Sequence, residues 1–258
     1  YRAALNIKQD DANIYSNLAY TLNYNPDKSR EEILTEHRQY DELFCLPMRG
    51  KWQPHGNSRE PQRRLKIGYV SPDLRSHSVA FFLEPLLREH DRQAVEVYCY
   101  AEVAQPDAVT VRLQGIADHW RTTIGMSDEN LAQQITDDGI DILVDLAGHT
   151  SHNRLPVFAR KPAPIQVTWL GYPHSTGLSA MDYRLVDAIT DPQEEADTWA
   201  SETLVRLENG FLCYAPPQEA PAPSPPPCLK SGIITFGSFN NPAKLSSATL
   251  DVWAGLLD

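Results

Sequence analysis

Four polar stretches in this chain hold the residues whose types and spacing can do chemistry. The first is Ser71-Pro72-Asp73-Leu74-Arg75-Ser76-His77-Ser78, between an apolar run and a helical pattern. His77 stands beside the helix N-terminus, where the positive end of the dipole keeps an imidazole neutral. A neutral imidazole can bind a hydroxyl or a sugar; the competing reading is a surface loop histidine. The second is Asp145-Leu146-Ala147-Gly148-His149-Thr150, after the most apolar run of the chain. A carboxylate at the buried end of a strand needs a partner, so Asp145 is expected to orient a histidine or to bind backbone amides. His149-Thr150-Ser151-His152 is an HxxH, but its register is wrong for a paired-ligand helix and no cysteine or carboxylate completes it. No metal site is expected there. The third is Gly171-Tyr172-Pro173-His174-Ser175-Thr176-Gly177. Its glycines let the backbone approach a ligand, and Tyr172 and His174 offer stacking or hydrogen bonds; an ordinary glycine-rich turn is the alternative. The fourth is Ile233-Ile234-Thr235-Phe236-Gly237-Ser238-Phe239-Asn240-Asn241, read as a buried strand that empties into a polar turn. Lys244 and a helix from about Ser246 follow, and a lysine ahead of a helix N-terminus is a place for an anionic phosphate.

The elements that must position these loops change character along the chain. Residues 1–46 read as helical: Ile14, Leu18, Ala19 and Leu22 fall at helical spacing, and Ser29 with Glu32 has capping-box spacing ahead of a helix to about Phe44. The run from Ala4 to Leu22 is tetratricopeptide-like, with a generic helical hairpin as the alternative. Residues 47–64 are polar and read as a linker. From 65 to 215 strands and helices alternate: strands over Leu65–Val70, Val95–Ala101, Ile140–Leu146, Ile165–Leu170 and Tyr183–Val186, helices over Val79–Glu89, Asp107–Ala117 and Ser127–Asp138. That alternation predicts a parallel sheet with helices on both faces, whose ligands sit at the carboxyl ends of the strands. Trp120 and Trp169 are expected in the core. Residues 216–230 form a connector in which seven of the twelve residues from Pro216 to Pro227 are proline. Residues 231–258 are expected to open a second α/β lobe.

Several classes drop out on composition and motif. A net charge of -11, from 34 acidic and 23 basic residues, disfavours a nucleic-acid backbone as partner. No apolar run is long enough to cross a membrane as a helix, and no signal peptide is seen at Tyr1, which lies inside a helical pattern and is expected to be a cut from a longer protein. The cysteines Cys45, Cys99, Cys213 and Cys228 form no CxxC pair, so free thiols in a reducing, cytoplasmic compartment are expected. There is no GxGxxG with a following acidic residue, no GxxxxGK[ST] and no GxSxG, which argues against a dinucleotide dehydrogenase, a P-loop enzyme and a serine hydrolase.

Three blocks are familiar together: Lys66-Ile67-Gly68-Tyr69-Val70-Ser71-Pro72-Asp73-Leu74 with His77; Pro162-Ala163-Pro164-Ile165-Gln166-Val167-Thr168-Trp169-Leu170-Gly171-Tyr172-Pro173 with Met181-Asp182-Tyr183; and Phe239-Asn240-Asn241 with Lys244-Leu245. They resemble the catalytic region of O-GlcNAc transferases and their SPINDLY-like relatives, the bacterial members above all. The resemblance implies a GT-B architecture of two Rossmann-like lobes preceded by a tetratricopeptide-like segment. It implies metal-independent, inverting transfer of a sugar from a nucleotide diphosphate to Ser or Thr hydroxyls, with UDP-GlcNAc as the leading donor and GDP-fucose as the alternative. Such an enzyme has the nucleotide sugar as substrate rather than a cofactor. Its acceptor proteins come through the repeat segment, and its site needs the rest of the second lobe. By the resemblance His77, Asp145 and His149 belong to the catalytic cleft, and Lys244 binds the diphosphate. Asn241, Tyr172, Pro173 and His174 belong to the donor contacts. A non-catalytic repeat-type binding module is the rival from another class.

Overall fold

The computed structural model describes residues 1–217 and 220–257; Gln218 and Glu219 of the expected connector, and Asp258, lie outside the described residues. The chain forms two compact units, Tyr1–Asn23 with Lys28–Ala215, and Tyr24–Asp27 with Pro216–Asp258.

The first unit begins with helices α1 (Arg2–Leu5), α2 (Ala12–Leu22) and α3 (Arg30–Tyr40). Asp11 caps α2 by accepting from the amides of Asn13 and Ile14. Ser29 and Glu32 form the expected capping box on α3. Each cap contributes about 1 kcal/mol. Leu18 and Leu22 of α2 pack on Ile33 of α3. After Tyr40 the α-helix gives way to a π turn over Asp41–Cys45 and a 3-10 turn over Leu46–Lys51, so the expected helix to Phe44 ends as a wider coil. The polar stretch that follows is tied to the sheet. The Trp52 indole donates to the Ala159 carbonyl at 2.9 Å, and Arg63 grips both carboxylate oxygens of Asp141 at 2.6 and 2.5 Å.

The sheet is built from β1 (Leu65–Ser71), β2 (Val95–Ala101), β3 (His119–Thr122), β4 (Ile142–Asp145), β5 (Ile165–Thr168), β6 (Tyr183–Asp187) and β7 (Thr203–Leu207). Helices α4 (Ser78–Glu89), α5 (Ala108–Ile116), α6 (Asp128–Asp138) and α7 (Leu155–Phe158) connect the strands as far as β5. All seven strands run parallel in the order β3-β2-β1-β4-β5-β6-β7. Alternate residues of each strand face opposite sides, and both sides are covered. Tyr69, Val97, Cys99 and Val144 meet Val79, Leu83 and Leu87 of α4 and Leu113 of α5. Val70, Tyr98, Tyr100 and Leu143 meet Leu131 and Ile135 of α6, Leu155 and Phe158 of α7, and Tyr40 at the end of α3. Trp169 is buried in the core, as expected. Each fully buried leucine contributes roughly 1.5–3 kcal/mol.

The strand order sets the position of a site. The chain runs outward from β1 through β2 to β3, then returns to place β4 on the other side of β1. At that reversal the connections leave in opposite directions, and a crevice opens beyond the carboxyl ends of β1 and β4. The loop carrying His77 and the loop carrying His149 are the two that flank it.

In the second unit α8 (Cys228–Ser231) and α9 (Ser247–Leu257) are the α-helices among the described residues. The strand expected over Ile233–Phe239 is not formed. Those residues are irregular and exposed, Phe239 completely so. A parallel strand exists only with neighbours to pair with, and the described residues of this unit supply none. The helix expected from about Ser246 is α9, with Ser246 accepting from the Thr249 amide as its cap.

Candidate active site

The crevice at the reversal is a cleft of about 810 Å³. Its walls come from the loop after β1 (Pro72, Asp73, Arg75, His77), the loop after β2 (Glu102 and Ala104 to Asp107), Ile124, the loop after β4 (Thr150, Ser151, His152), Gly171 after β5, and Tyr20 of α2. Of the side chains that the sequence assigns to catalysis or donor binding, His77 is the one that lines it. His77 is the N-cap of α4, and its Nδ1 accepts from the Val79 amide at 3.3 Å. A ring that accepts at Nδ1 carries its hydrogen on Nε2 and presents a donor to a ligand oxygen. Asp73, Arg75 and His152 stand around it. The Asp73 carboxylate lies 3.6 Å from His77 Nδ1 and 3.6 Å from the Arg75 guanidinium.

Two residues on this rim hold left-handed backbone, His152 at φ 60° and Leu170 at φ 73°. Leu170 is a branched residue that rarely adopts that region. Gly171, which follows it, lies against the Leu146 carbonyl: a Cβ there would come within 1.8 Å of that oxygen. The β5 loop thus folds tightly onto the β4 loop, and both are fixed as cleft walls.

Asp145, His149, Tyr172 and His174 sit behind the cleft wall. Asp145 is fully buried; it accepts from the amides of Ala147 and Gly148 and from the Thr168 hydroxyl. Burial pushes its carboxyl up to about 6, against the pull of those three donors. Backbone amides are thus the partners that a strand-end carboxylate was expected to find. His149 is fully buried, with Nε2–H donating to the Thr176 carbonyl at 2.7 Å and Nδ1 accepting from Ser16 Oγ at 3.1 Å. Burial lowers its pKa to about 4. Both nitrogens are engaged, so the HxxH does not pair His149 with His152. Tyr172 donates to His37 Nε2 at 2.7 Å and accepts from Asn23 Nδ2 at 2.8 Å, while His37 Nδ1–H donates to the Ile33 carbonyl. His174 stacks on His37 with ring centroids 4.8 Å apart, and His37 meets His149 edge-on at 4.9 Å. Pro173 is exposed, and its carbonyl accepts from Arg184 at 3.1 Å. These side chains form one polar layer joining α2 and α3 to the loops after β4 and β5.

Sequence reasoning passed over His37 and Ser16. The signal was present: each lies on the apolar face of its helix, Ser16 beside Ala12 and Ala19, His37 beside Ile33 and Tyr40. A polar residue in a core register implies a buried partner. Asp73, Arg75 and His152 also line the cleft, and their sequence context alone assigns them no role.

Lys244 and Asn241 belong to the second unit. Asn241 Oδ1 accepts from the Ala243 amide and caps the 3-10 turn Pro242–Lys244, two residues ahead of the Ser246 cap of α9. The expected order of polar turn, lysine and helix N-terminus is present there.

A seven-stranded, doubly wound parallel sheet with a polar cleft at its switch point is a Rossmann-like lobe built for a ligand at its strand ends. The sequence pattern of glycosyl transferase family 41 matches residues 29–215, and the chain belongs to that family. It is 40% identical, over 98% of its length, to the probable UDP-N-acetylglucosamine--peptide N-acetylglucosaminyltransferase SPINDLY of Solanum lycopersicum, of which it covers 27%. The UDP-N-acetylglucosamine--peptide N-acetylglucosaminyltransferase of Caenorhabditis elegans is 38% identical over 58% of this chain and 13% of that protein. Among solved structures, a mutant O-GlcNAc transferase of Thermobaculum terrenum superposes with a TM-score of 0.90 at 38% identity, covering 98% of this chain and 48% of that one. The chain thus spans about a quarter of the length of the SPINDLY relatives and about half of the solved chain.

Proposed function

We propose that this chain supplies the first lobe, and the opening of the second, of a protein O-glycosyltransferase that moves GlcNAc from UDP-GlcNAc to Ser or Thr hydroxyls with inversion. The carrying observation is His77, placed at the switch-point cleft of a family 41 lobe with its Nε2–H free to meet a sugar or acceptor oxygen. The names of the relatives supply the donor and the peptide acceptor. In this reading Lys244 meets the diphosphate, where a cation stabilises the charge that develops as it leaves. Asn241 approaches the donor beside it. Asp145, His149, Tyr172 and His174 act by holding the cleft loops in place, and Pro173 lies on the outer side of the same loop. The helical segment (residues 1–46) is the end of a tetratricopeptide array that presents acceptor proteins, with Tyr20 of α2 at the cleft wall. The sugar nucleotide is a substrate, and no cofactor or metal has a part in the scheme.

Among the described residues no helix is long and apolar enough to cross a membrane. The unpaired thiols of Cys45, Cys99, Cys213 and Cys228 support a cytoplasmic location.

Calorimetric titration of UDP and of GDP into the full-length protein tests the proposal. UDP binding that weakens in Lys244→Ala is expected. Preference for GDP would move the donor to GDP-fucose, and binding of neither would favour a repeat-type binding module.

A further inference from the structure

The loop that carries His77 holds a second ionisable group in the cleft. Ser71 and Leu74 are fully buried and anchor this loop at the end of β1. The Ser71 hydroxyl accepts from the Asp73 amide at 2.9 Å and fixes the backbone of Asp73. The Asp73 side chain is nearly buried, and its carboxylate lies just beyond hydrogen-bond length from two groups: Arg75 on Oδ1 and His77 Nδ1 on Oδ2, each at 3.6 Å. Burial pushes the carboxyl up, and the Arg75 guanidinium pulls it down.

His77 Nδ1 therefore faces two possible partners. One is the Val79 amide at 3.3 Å, which requires a bare Nδ1 and leaves the hydrogen on Nε2. The other is Asp73 Oδ2, a few tenths of an ångström beyond hydrogen-bond reach, which requires a hydrogen on Nδ1 and leaves Nε2 bare. The two arrangements have opposite meanings in the cleft. With Nε2–H the ring binds the oxygen of a hydroxyl; with bare Nε2 it binds the hydrogen. Only the second aligns a hydroxyl's lone pair away from the ring and toward an electrophile.

We propose that Asp73 is the positioning residue for His77: when an acceptor hydroxyl enters the cleft, Asp73 draws the imidazole hydrogen to Nδ1 and so turns His77 from a donor to an acceptor toward that hydroxyl. Arg75 competes with His77 for the same carboxylate and limits how far the ring is drawn. This rests on the transferase reading above, because only an acceptor hydroxyl gives the bare nitrogen something to hold.

The test uses the full-length protein, unaltered and as Asp73→Asn, a change that keeps the size of the side chain and removes its charge. Transfer of GlcNAc to an acceptor peptide by the unaltered protein checks the reading itself. Asp73→Asn is expected to lower kcat at least about tenfold while KM for UDP-GlcNAc stays within about twofold. The nitrogen-15 shifts of His77 in the ternary complex with UDP and acceptor peptide give a second readout. The hydrogen is expected on Nδ1 in the unaltered protein and on Nε2 in Asp73→Asn. Arg75→Ala frees the carboxylate and is expected to keep the hydrogen on Nδ1. Active unaltered protein with the same His77 tautomer in Asp73→Asn would overturn the assignment, as would an unchanged kcat. Circular dichroism matching the unaltered protein separates either result from misfolding.

Discussion

Tyr172→Phe removes one oxygen from the layer that joins the helical segment to the cleft loops, and its cost can be worked from the bonds lost. The hydroxyl donates to His37 Nε2 at 2.7 Å and accepts from Asn23 Nδ2 at 2.8 Å. His37 is completely buried, and its other nitrogen is committed to the Ile33 carbonyl. Phenylalanine would leave Nε2 without a partner in a dry site, at about 1–3 kcal/mol. Asn23 keeps its bonds to the carbonyls of Ala19 and Tyr20, so its loss is about 0.5 kcal/mol. The sum is about 1.5–3.5 kcal/mol, which for a unit of this size lowers Tm by roughly 3–14 °C. Urea and thermal unfolding of the full-length protein, followed by circular dichroism, measure it. His37→Leu completes a double-mutant cycle. With the acceptor gone, Tyr172→Phe should cost less, giving a coupling of about 1–2 kcal/mol. A cost below about 0.5 kcal/mol, or full additivity with His37→Leu, would refute the bonding chain on which the estimate stands.

Burial lowers the pKa of His37 and His174, and that of His149 to about 4. The unfolded chain therefore binds more protons than the fold below about pH 6.5, and stability falls as pH drops from there toward 4. Asp145, raised to about 6, works in the opposite sense between about pH 4 and 6 and roughly offsets His149, the two being about 3 kcal/mol each at full extent. Urea midpoints should fall between pH 7 and 5, and less steeply in His37→Leu; a flat profile would contradict the neutral cluster. Gly177 has φ 79°, and a Cβ there would come within 2.3 Å of the His37 carbonyl oxygen. Gly177→Ala is expected to cost about 2 kcal/mol or more in the same unfolding assay, and a neutral effect would place α3 differently. Lys244→Ala in the full-length enzyme is expected to lower kcat/KM by the equivalent of about 2–4 kcal/mol. Unchanged kinetics would remove Lys244 from the site.

The alternation of apolar runs made the central strands legible because β1, β2 and β4 are covered on both faces and carry mostly apolar sequence, with Lys66 and Glu96 only near the strand starts. The edge strands β3 and β7 escaped notice. His119-Trp120-Arg121-Thr122 and Thr203-Leu204-Val205-Arg206-Leu207 mix polar and apolar residues because an edge is half solvated. Ile233–Phe239 shows the reverse: the strand pattern is strong, and pairing partners decide whether a strand forms. The strand-end rule puts His77 at the crevice, where the structure has it, since a loop after β1 has to face that opening. The same reasoning put Asp145, His149 and Tyr172 beside His77, because sequence separation from a strand end does not tell cleft side from core side. What places them behind the wall is α2 and α3 packing over the loops, through Ser16, Asn23 and His37. The local sequence of those loops holds no trace of that contact.

Sugar transfer to a protein hydroxyl is the activity to measure directly. The full-length protein would be incubated with UDP-GlcNAc or GDP-fucose and a Ser/Thr-rich acceptor protein, and the acceptor weighed intact by mass spectrometry, with His77→Ala alongside. The expected result is a gain of one N-acetylhexosamine from UDP-GlcNAc that is lost or strongly reduced in His77→Ala. A gain of deoxyhexose from GDP-fucose alone, no gain from either donor, or full activity in His77→Ala would contradict it.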